Sequence, residues 1–417
     1  MTVAQDARRR VVVTGLGPLS SIGVGVEDFA AGLAAGASGI SPISAFDTTG
    51  FGSNLGCEVR DFEPERYISR LDPRTLGRAS QFSVSAASLA LQDAGVDPAS
   101  LVDRPGVISV GTTDGESQDL DQLVEICVRK GVDDLPPQRV ARVPASWLSV
   151  SIAREFGLRA AETVTLPTAC AAGNYAIGYA FDVLRLGEAE YALCGGADAM
   201  CRKTFAGFYR LGTIAPEVCQ PFDADRKGIL TGEGSGMLFL ETMESAQRRG
   251  ASWYAEILGY GLTCDASHPV APDRGSIGDC MRRAHLNSGV TPADVDLVSA
   301  HGTGTKANDL TEAAAVRDVF GERMPPVVSI KSMIGHTMGA ASALATIACS
   351  VALDRQFIPP TINHNSTCSD CAVDCVPNTA RQAPLRVVQN NAFAFGGNNA
   401  ILLLAHRDGY QPRQGAA

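Results

Sequence analysis

The 417-residue chain has no long apolar run and no excess of positive charge. A membrane-spanning helix needs roughly 18 or more consecutive apolar residues, and the sequence contains no such run. Its 45 acidic residues outnumber the 35 basic ones, which gives a formal net charge of −10 and disfavours nucleic acid as a partner. We therefore expect a protein that neither spans a membrane nor binds nucleic acid.

Charged residues are also scarce, at 19%, whereas hydrophobic residues reach 45%. This composition is typical of a globular protein with a large core and argues against disorder. Three arginines at residues 8–10 precede three valines, as at the start of a signal peptide, but Gly15, Gly17 and Pro18 interrupt the apolar run. A first β-strand is therefore predicted, and the 12 cysteines are expected to be reduced thiols in a cytoplasmic protein.

Two short motifs are too incomplete to predict a cofactor. Gly15-Leu16-Gly17 resembles the start of a dinucleotide fingerprint, but Ser20 stands where the third glycine is needed. The second motif holds one histidine and three cysteines, with a single CxxC spacing: His364, Cys368, Cys371 and Cys375. Because a structural zinc site usually pairs two such spacings, a loop of small residues is predicted here, with no metal and no nucleotide.

Strand patterns alternate with helix patterns along the whole chain. In the first half we predict strands at 11–14, 107–110, 163–166, 191–194 and 237–240, and helices at 26–36, 80–94 and 171–186. After about residue 251 the pattern restarts, with strands at 253–259, 297–300, 327–330 and 400–404 and helices at 278–288, from 309, and at 339–353. The alternation predicts a mostly parallel sheet covered on both faces. The restart predicts two similar, fused halves, residues 1–250 and 251–417.

One cysteine stands between a predicted strand and a helix of small residues. Cys170 follows the strand at 163–166 and opens the helix at 171–186. Unpaired backbone N–H groups and the positive end of the helix dipole favour a thiolate there. A thiolate is a nucleophile that an acyl group can modify, although most free cysteines are inert packing residues.

Three further side chains follow predicted strands in polar loops. His301 and His336 lie in glycine-flanked loops, and Lys331 ends the strand before His336. In doubly wound sheets, sites form outside the carboxyl ends of the strands. A thiol, two imidazoles and an ammonium are the groups that thiolate acyl transfer and carbanion chemistry require, and the Gly396-Gly397 loop could offer N–H groups to an oxyanion.

These residues lie in motifs that resemble the elongating β-ketoacyl-[acyl carrier protein] synthases. The likeness runs from about Val11 to Leu404 and rests on TACAAG around Cys170, PFDADRKGILTGEGSGM at 221–237, AHGTGT at 300–305, IKSMIGH at 330–336, PPTIN at 359–363 and AFGGNNA at 394–400. The resemblance implies an α/β thiolase fold: a five-layered αβαβα sandwich of two pseudo-symmetric halves that works as a dimer.

The resemblance also implies the chemistry. Cys170 would take an acyl chain from a carrier protein or CoA thioester. His301 and His336 would hold the malonyl thioester carbonyl and promote decarboxylation. The enolate would then attack acyl-Cys170, in a ping-pong sequence that uses no metal or nucleotide and carries its substrates on the phosphopantetheine of an acyl carrier protein.

Supporting roles are implied for other positions. Lys331 would be a cation paired with Glu312, with Asp309 also matching the family. The backbone N–H groups of Cys170 and Phe395 would form the oxyanion hole, with Phe395 and Gly396 in a gating loop. Thr303 and Thr305 would bind the pantetheine amides. Asp114 and Phe208 would lie at the acyl pocket, and Arg74 and Arg210 would dock the acidic carrier.

The residues leave the pathway open. Asp114 stands where the family often has an apolar residue, and a charge there is costly unless it is hydrogen-bonded. This position and the NDLTE stretch at 308–312 favour the catalytic subunit of a type II polyketide or polyene pathway over a housekeeping fatty-acid synthase. A homodimer and a heterodimer with a chain-length-factor-like homologue are both possible. Cys170 argues against a non-catalytic partner subunit, and His336 argues against a CoA-dependent initiating synthase or thiolase.

Overall fold

The computed structural model describes residues 9–410. Residues 1–8 and 411–417, which include Arg8 and the outer ends of both predicted halves, lie outside the described residues. The strands are β1 (Val11–Ser20), β2 (Gly23–Val24), β3 (Ser41–Pro42), β4 (Leu55–Gly56), β5 (Gly106–Gly111), β6 (Ala161–Leu166), β7 (Tyr191–Asp198), β8 (Gly234–Thr242), β9 (Ala255–Cys264), β10 (Leu297–Ser299), β11 (Val327–Val328), β12 (Phe357–Ile358), β13 (Arg381–Gln382), β14 (Val387–Phe393) and β15 (Asn398–His406).

The helices alternate with these strands. They are α1 (Val26–Ala35), α2 (Arg78–Asp93), α3 (Ser117–Lys130), α4 (Pro137–Ala141), α5 (Trp147–Phe156), α6 (Ala172–Leu186), α7 (Arg202–Arg210), α8 (Met243–Arg248), α9 (Arg274–Ser288), α10 (Lys306–Phe320), α11 (Lys331–Ile334) and α12 (Ala341–Arg355). No helix among residues 9–410 is both long and apolar enough to cross a membrane.

The strand order repeats in the two halves of the chain. In the first half the order is β6-β5-β7-β8-β1, and in the second it is β11-β10-β14-β15-β9. Numbered within each half, both orders read third, second, fourth, fifth, first. The halves join where Val11–Val13 of β1 pairs antiparallel with Ala255–Ile257 of β9. The predicted parallel sheet is therefore mixed: β5 runs parallel to β6 and β7, whereas β1, β8 and β9 pair antiparallel.

Two helices lie between the strands of the two halves. Both α6 and α12 contact strands of each half, and α12 is buried from Ala341 to Leu353. Their small residues allow a close approach, since a Cβ added at Gly173 would lie 2.6 Å from the Ala343 nitrogen. Helices α2 and α5 cover the outer face of one half, and α9 and α10 cover the other. This five-layered αβαβα arrangement is the thiolase fold, so the predicted fold class is confirmed.

The predicted element boundaries differ from the structure in two informative places. Lys331 does not end a strand, because β11 stops at Val328 and Lys331 opens the short helix α11. Cys170 lies in a 3-10 turn, Ala169–Ala171, immediately before α6 begins at Ala172. Both turns follow the carboxyl end of a parallel strand, which places the two side chains at the same end of the sheet.

Candidate active site

The turn that carries Cys170 is held by close backbone packing. Ala169 adopts a left-handed conformation with φ of 50°, and the start of α6 rests on the end of β5. A Cβ added at Gly111 would lie 2.2 Å from the Ala172 carbonyl carbon, so only glycine permits this approach. Cys170 itself is 6% exposed. The turn therefore presents the thiol in one orientation at the end of the sheet.

Burial reverses the predicted ionisation of Cys170. Removal from water raises the pKa of the thiol to about 12, and the attraction of Lys331 offsets only part of that effect. The negative charges of Asp198 and Asp114 act in the same direction as burial. The sequence predicted a thiolate from the helix dipole alone, but desolvation is the larger effect, so the resting side chain is a neutral thiol.

Two histidines face the same cavity as Cys170. His301 follows β10, His336 follows α11, and their ring centroids are 5.6 Å apart at an interplanar angle of 80°. The Met338 backbone N–H donates to Nδ1 of His336 at 3.1 Å, which assigns the ring proton to Nε2. Burial lowers the pKa of both imidazoles well below the usual value, and Lys331 lowers it further. Both rings are therefore neutral near pH 7.

A buried carboxylate and ammonium support the His301 loop. Glu312 is fully buried and accepts the backbone N–H groups of His301 at 2.9 Å and Gly302 at 2.8 Å. The Lys331 ammonium donates to the His301 carbonyl oxygen at 2.6 Å. Burial lowers the pKa of Lys331, and the charge of Glu312 opposes that shift. The implied pairing of Lys331 with Glu312 thus acts through the His301 backbone that both side chains hold.

Asp309 anchors the next part of this loop. Its carboxylate accepts the backbone N–H of Gly304 at 3.2 Å and that of Phe222 at 2.8 Å. The hydroxyl groups of Thr303 and Thr305 lie 2.8 Å apart, and both side chains line the cavity. Burial raises the pKa of Asp309, although the Phe222 N–H opposes the shift. The two carboxylates therefore fix the loop and leave the threonines facing the cavity.

The cavity has a volume of about 230 Å³ and brings together most of the predicted catalytic groups. Its lining includes seven of them: Cys170, Phe208, His301, Thr303, Thr305, His336 and Phe395. Phe395 is 40% exposed, and its ring centroid is 5.5 Å from that of Phe208. The other seven predicted residues do not line it: Lys331, Glu312, Asp309, Gly396, Asp114, Arg74 and Arg210.

The glycines of the gating loop are engaged. The Gly396 N–H donates to the Pro269 carbonyl oxygen at 2.8 Å, and the Gly397 N–H donates to that of Ala394 at 3.0 Å. The Gly396-Gly397 pair was predicted to offer N–H groups to an oxyanion, and in this conformation neither group is available. The Gly396 bond and the Asp265 N–H, which donates to the Gly397 carbonyl oxygen at 3.0 Å, instead fasten the loop to Asp265 and Pro269, which line the cavity.

Asp114 lies behind the cavity wall, in contact with α7. Its carboxylate accepts the Lys203 ammonium at 2.7 Å and the Thr204 hydroxyl at 2.6 Å. Asp198 was not predicted as a site residue, but its buried carboxylate accepts the backbone N–H groups of Asp114 at 2.9 Å and Gly339 at 2.6 Å. Burial, and then the charge of Asp114, raise the pKa of Asp198 to about 7. The available signal was a polar residue at the end of strand β7.

The other predicted residues lie on the surface or in a loop. Arg74 pairs with Asp72 at 2.8 Å, and its side chain is exposed, as is Arg210 at the end of α7. In the cysteine-rich loop, His364 approaches Cys375 at 3.5 Å. Among residues 9–410, no group of three or more His, Cys, Asp or Glu side chains has an arrangement that could hold a metal ion.

The chain matches two family models in tandem. Residues 8–246 match the β-ketoacyl synthase N-terminal domain, and residues 254–365 match the β-ketoacyl synthase C-terminal domain. It is 36% identical over 412 residues to 3-oxoacyl-[acyl-carrier-protein] synthase 2 of Synechocystis sp., covering 96% of this chain and 99% of the relative. It is 37% identical over 404 residues to nodulation protein E of Rhizobium sp. strain N33, covering 94% and 98%.

Solved structures share the fold over nearly the whole length. The ishigamide ketosynthase/chain length factor structure is 55% identical, with a TM-score of 0.95 and coverage of 96% of this chain and 99% of that one. A type II polyketide acyl-carrier protein in complex with its ketosynthase bound to the hexaketide gives 29% identity and a TM-score of 0.88, with coverage of 96% and 99%. The chain therefore belongs to the β-ketoacyl synthase family of acyltransferases.

Proposed function

We propose that this protein is a β-ketoacyl-[acyl carrier protein] synthase that extends an acyl chain held on Cys170. The observation that carries the proposal is the cavity shared by one thiol and two neutral imidazoles, Cys170, His301 and His336. A thiol accepts the acyl group, and two N–H donors stabilise the enolate that malonyl decarboxylation produces. The reaction needs all three groups within reach of one substrate.

The first half-reaction is transfer of the acyl chain to Cys170. The Cys170 sulfur attacks the carrier thioester, and the pantetheine sulfur leaves with the proton that the thiol gives up. Because a thiol enters and a thiol leaves, the exchange is proton-neutral, which suits a nucleophile whose pKa is raised to about 12. The backbone N–H groups of Cys170 and Phe395 would stabilise the tetrahedral oxyanion.

The second half-reaction is condensation with a malonyl unit. His301 and His336 donate N–H bonds to the malonyl thioester oxygen, carbon dioxide departs, and the resulting enolate carbon attacks the acyl carbonyl. The Cys170 sulfur leaves and recovers a proton. Thr303 and Thr305 would hydrogen-bond the pantetheine amides in the cavity mouth, which the position of both side chains supports. The substrates are carried on the phosphopantetheine of an acyl carrier protein, and the reaction uses no metal.

We propose a specialised polyketide or polyene pathway over housekeeping fatty-acid elongation. The 55% identity to the ishigamide ketosynthase/chain length factor structure supports the specialised pathway. The 36% identity to 3-oxoacyl-[acyl-carrier-protein] synthase 2 is compatible with fatty-acid elongation. Phe208 of α7 lines the cavity and would shape the acyl pocket directly, and Asp114 would do so through its ion pair with Lys203 of the same helix. We propose that the site is formed by two fused halves of the chain, residues 1–250 and 251–417. We also propose that the protein is cytoplasmic.

The sheet edge supports a dimer. Strand β6 is an outer strand, paired with β5, and its residues Ala161–Leu166 are exposed or half-buried. Unpaired strand edges attract a further strand. Helix α3 carries the exposed apolar side chains Leu120, Val124 and Val128 on one face. We propose that these surfaces meet a second ketosynthase-like chain, a chain-length-factor homologue in the specialised pathway.

Acylation and condensation assays test the catalytic proposal. Purified protein is incubated with acyl carriers and malonyl carrier, and mass spectrometry follows both the acyl-enzyme and the extended product. We expect Cys170→Ala to abolish both signals and His336→Ala to retain acylation while losing condensation. Cys349→Ala, in the buried helix α12, is the matched control and should retain both. Condensation by Cys170→Ala at the wild-type rate would refute the mechanism.

Two further experiments address the partners. Co-expression with a chain-length-factor homologue, followed by size-exclusion chromatography with mass analysis, separates a heterodimer from a homodimer. For the carrier, Arg74→Glu and Arg210→Glu should raise KM for the carrier-bound substrate but not for a short pantetheine thioester. Arg159→Glu is the matched control, because Arg159 is exposed just before β6, at the opposite end of the strand from Cys170.

A further inference from the structure

The CxxC segment at residues 368–371 forms a hydrogen-bonded turn that has no role in the proposed condensing reaction. The Ala372 N–H donates to the Cys368 carbonyl oxygen at 2.9 Å, which closes the turn and brings the two cysteines together. Both side chains belong to one buried cluster of residues, which also includes Phe222. Cys371 is fully buried, whereas Cys368 is 7% exposed and is followed by the exposed residues Ser369 and Asp370. A small oxidant can therefore reach Cys368 first.

A buried cation lies next to the CxxC turn. The Arg226 side chain is 3% exposed and donates through Nη1 to the Asp223 carbonyl oxygen at 2.7 Å. Its Nε makes no hydrogen bond and lies 3.5 Å from the Asp309 carboxylate. Residues 367 and 368 lie beside Asp223, since Thr367 bridges to Asp223 and the Cys368 N–H donates to the Phe222 carbonyl oxygen. A buried guanidinium requires negative charge nearby, and a Cys368 thiolate supplies it alongside Asp309.

The environments of the two sulfurs favour different protonation states. Burial opposes ionisation of Cys368, but the Cys371 N–H, the Arg226 guanidinium and the Cys371 thiol outweigh it and lower the pKa. Burial, with the neighbouring Cys368, raises the pKa of Cys371 to about 12. A reactive thiolate beside a protonated resolving thiol is the arrangement of dithiols that respond to oxidants.

We propose that Cys368 and Cys371 form an oxidant-reactive dithiol, a modification site that a hydroperoxide converts to a disulfide. The Cys368 thiolate attacks the terminal peroxide oxygen, so the O–O bond breaks, a sulfenic acid forms and alkoxide or hydroxide leaves. The Cys371 sulfur then attacks the sulfenic sulfur, its proton leaves with the hydroxyl group as water, and the S–S bond forms. Two electrons pass from the two sulfurs to the peroxide.

Hydrogen bonds connect this dithiol to the active-site loop. The Cys368 N–H donates to the Phe222 carbonyl oxygen at 3.1 Å, and the Phe222 N–H donates to Asp309 at 2.8 Å. Asp309 in turn holds the Gly304 N–H, between the two threonines of the cavity mouth. Oxidation removes the thiolate charge beside Arg226 and leaves Asp309 to balance it. We expect Arg226 to draw Asp309 away from Gly304 and to slow the acyl-transfer reaction reversibly.

Peptide mapping tests the dithiol without any assay of activity. Full-length Cys170→Ala protein, which lacks the proposed nucleophile, is treated with hydrogen peroxide, alkylated without reductant and digested. We expect a Cys368–Cys371 disulfide that dithiothreitol reverses and that forms about tenfold faster than any other cysteine modification, since rate follows thiolate content. Cys368→Ser in the same background should abolish it, and Cys375→Ser is the matched control that should retain it. The proposal is overturned if wild-type Cys368 forms no disulfide, or if Cys371 is oxidised as fast in Cys368→Ser as in the protein that keeps Cys368.

The link to catalysis rests on the proposed ketosynthase function and is tested separately. The protein with its partner subunit is acylated to protect Cys170, exposed to peroxide, quenched with catalase and assayed for condensation. We expect wild type to lose most of its rate and to recover it with dithiothreitol, whereas Cys368→Ser keeps its rate throughout. Equal losses in both proteins would overturn the coupling while leaving the peptide-mapping result intact. If untreated wild type does not condense acyl chains, the proposed function fails, and the peptide-mapping experiment alone then tests the dithiol.

Discussion

Replacement of Glu312 by Gln tests how the His301 loop is held. The carboxylate accepts four N–H groups: one oxygen serves His301 and Asn391, and the other serves Gly302 and Asn308. Gln keeps one oxygen and turns an NH2 group towards the donors on the other side. It also removes the buried negative charge that attracts Lys331.

The expected loss of stability follows from these contacts. Two N–H groups lose their acceptor, at about 1–3 kcal/mol each. Lys331 loses its compensating charge, and removing one member of a buried charged pair typically destabilises by about 3–5 kcal/mol. These effects overlap, so we expect the free energy of unfolding to fall by about 3–5 kcal/mol. The Glu312→Gln/Lys331→Met double variant should be at least about 1 kcal/mol less destabilised than the sum of the single variants.

Urea unfolding followed by circular dichroism measures the effect, at a fixed concentration of protein and partner because assembly shifts apparent stability. Glu188→Gln is the matched control: this residue is exposed, and its substitution should change stability by less than about 0.5 kcal/mol. A Glu312→Gln penalty below about 1 kcal/mol would refute the reasoning, since the carboxylate would then not carry the loop. A strictly additive double variant would refute the coupling to Lys331.

Three further predictions use unfolding measurements. Gly173→Ala should destabilise the protein by about 1–3 kcal/mol, because the new Cβ would meet the Ala343 nitrogen at 2.6 Å, whereas Gly207→Ala, in a helix with open space around it, should stabilise by about 0.5–1 kcal/mol. The pKa of His336 is lowered in the folded state, so the stability that the neutral imidazole contributes is present above pH 6.5 and is lost as the pH falls. Below pH 6.5 the free energy of unfolding of wild type should therefore fall by up to about 1.4 kcal/mol per pH unit relative to that of His336→Asn. An identical pH dependence of stability in the two proteins would contradict this. The pKa of Asp198 is raised to about 7, so wild type should instead lose stability relative to Asp198→Asn as pH rises from 4 to 7, with a constant difference above pH 7.

The positions of the catalytic groups were largely predictable from the order of elements. Cys170 and His301 each follow a strand of the sheet, and the carboxyl ends of parallel strands meet at one edge. His336 lies near the same edge, although the short helix α11 separates it from β11. The repeated strand–helix pattern likewise predicted the duplicated halves, which appear as one strand order used twice. Local patterns suffice here because strand periodicity and chain direction determine on which edge a loop emerges.

The ionisation of these groups was not predictable from the same patterns. The helix dipole at Cys170 is a local feature, but desolvation depends on every atom packed around the sulfur, and it raises the pKa of the thiol. Asp198 was missed for the same reason. Its partners, at Thr112–Asp114 and Gly339, are separated from it by more than 80 positions in the chain. Thr112–Asp114 reach it because β5 pairs with β7, and Gly339 reaches it from the turn just before α12.

The sequence by itself determined the fold class and the repeated order of elements, and it predicted which residues meet at the cavity, because these follow from periodicity and from short motifs near strand ends. Only the tertiary structure decided that Cys170 rests as a thiol, that the glycine N–H groups of the gating loop are engaged, and that Lys331 acts through the His301 backbone. It also placed Arg226 and Cys368 beside the same short segment, residues 222–223. Each of these features depends on burial and on contacts between segments that are distant in the chain. A local stretch of sequence specifies neither burial nor such contacts.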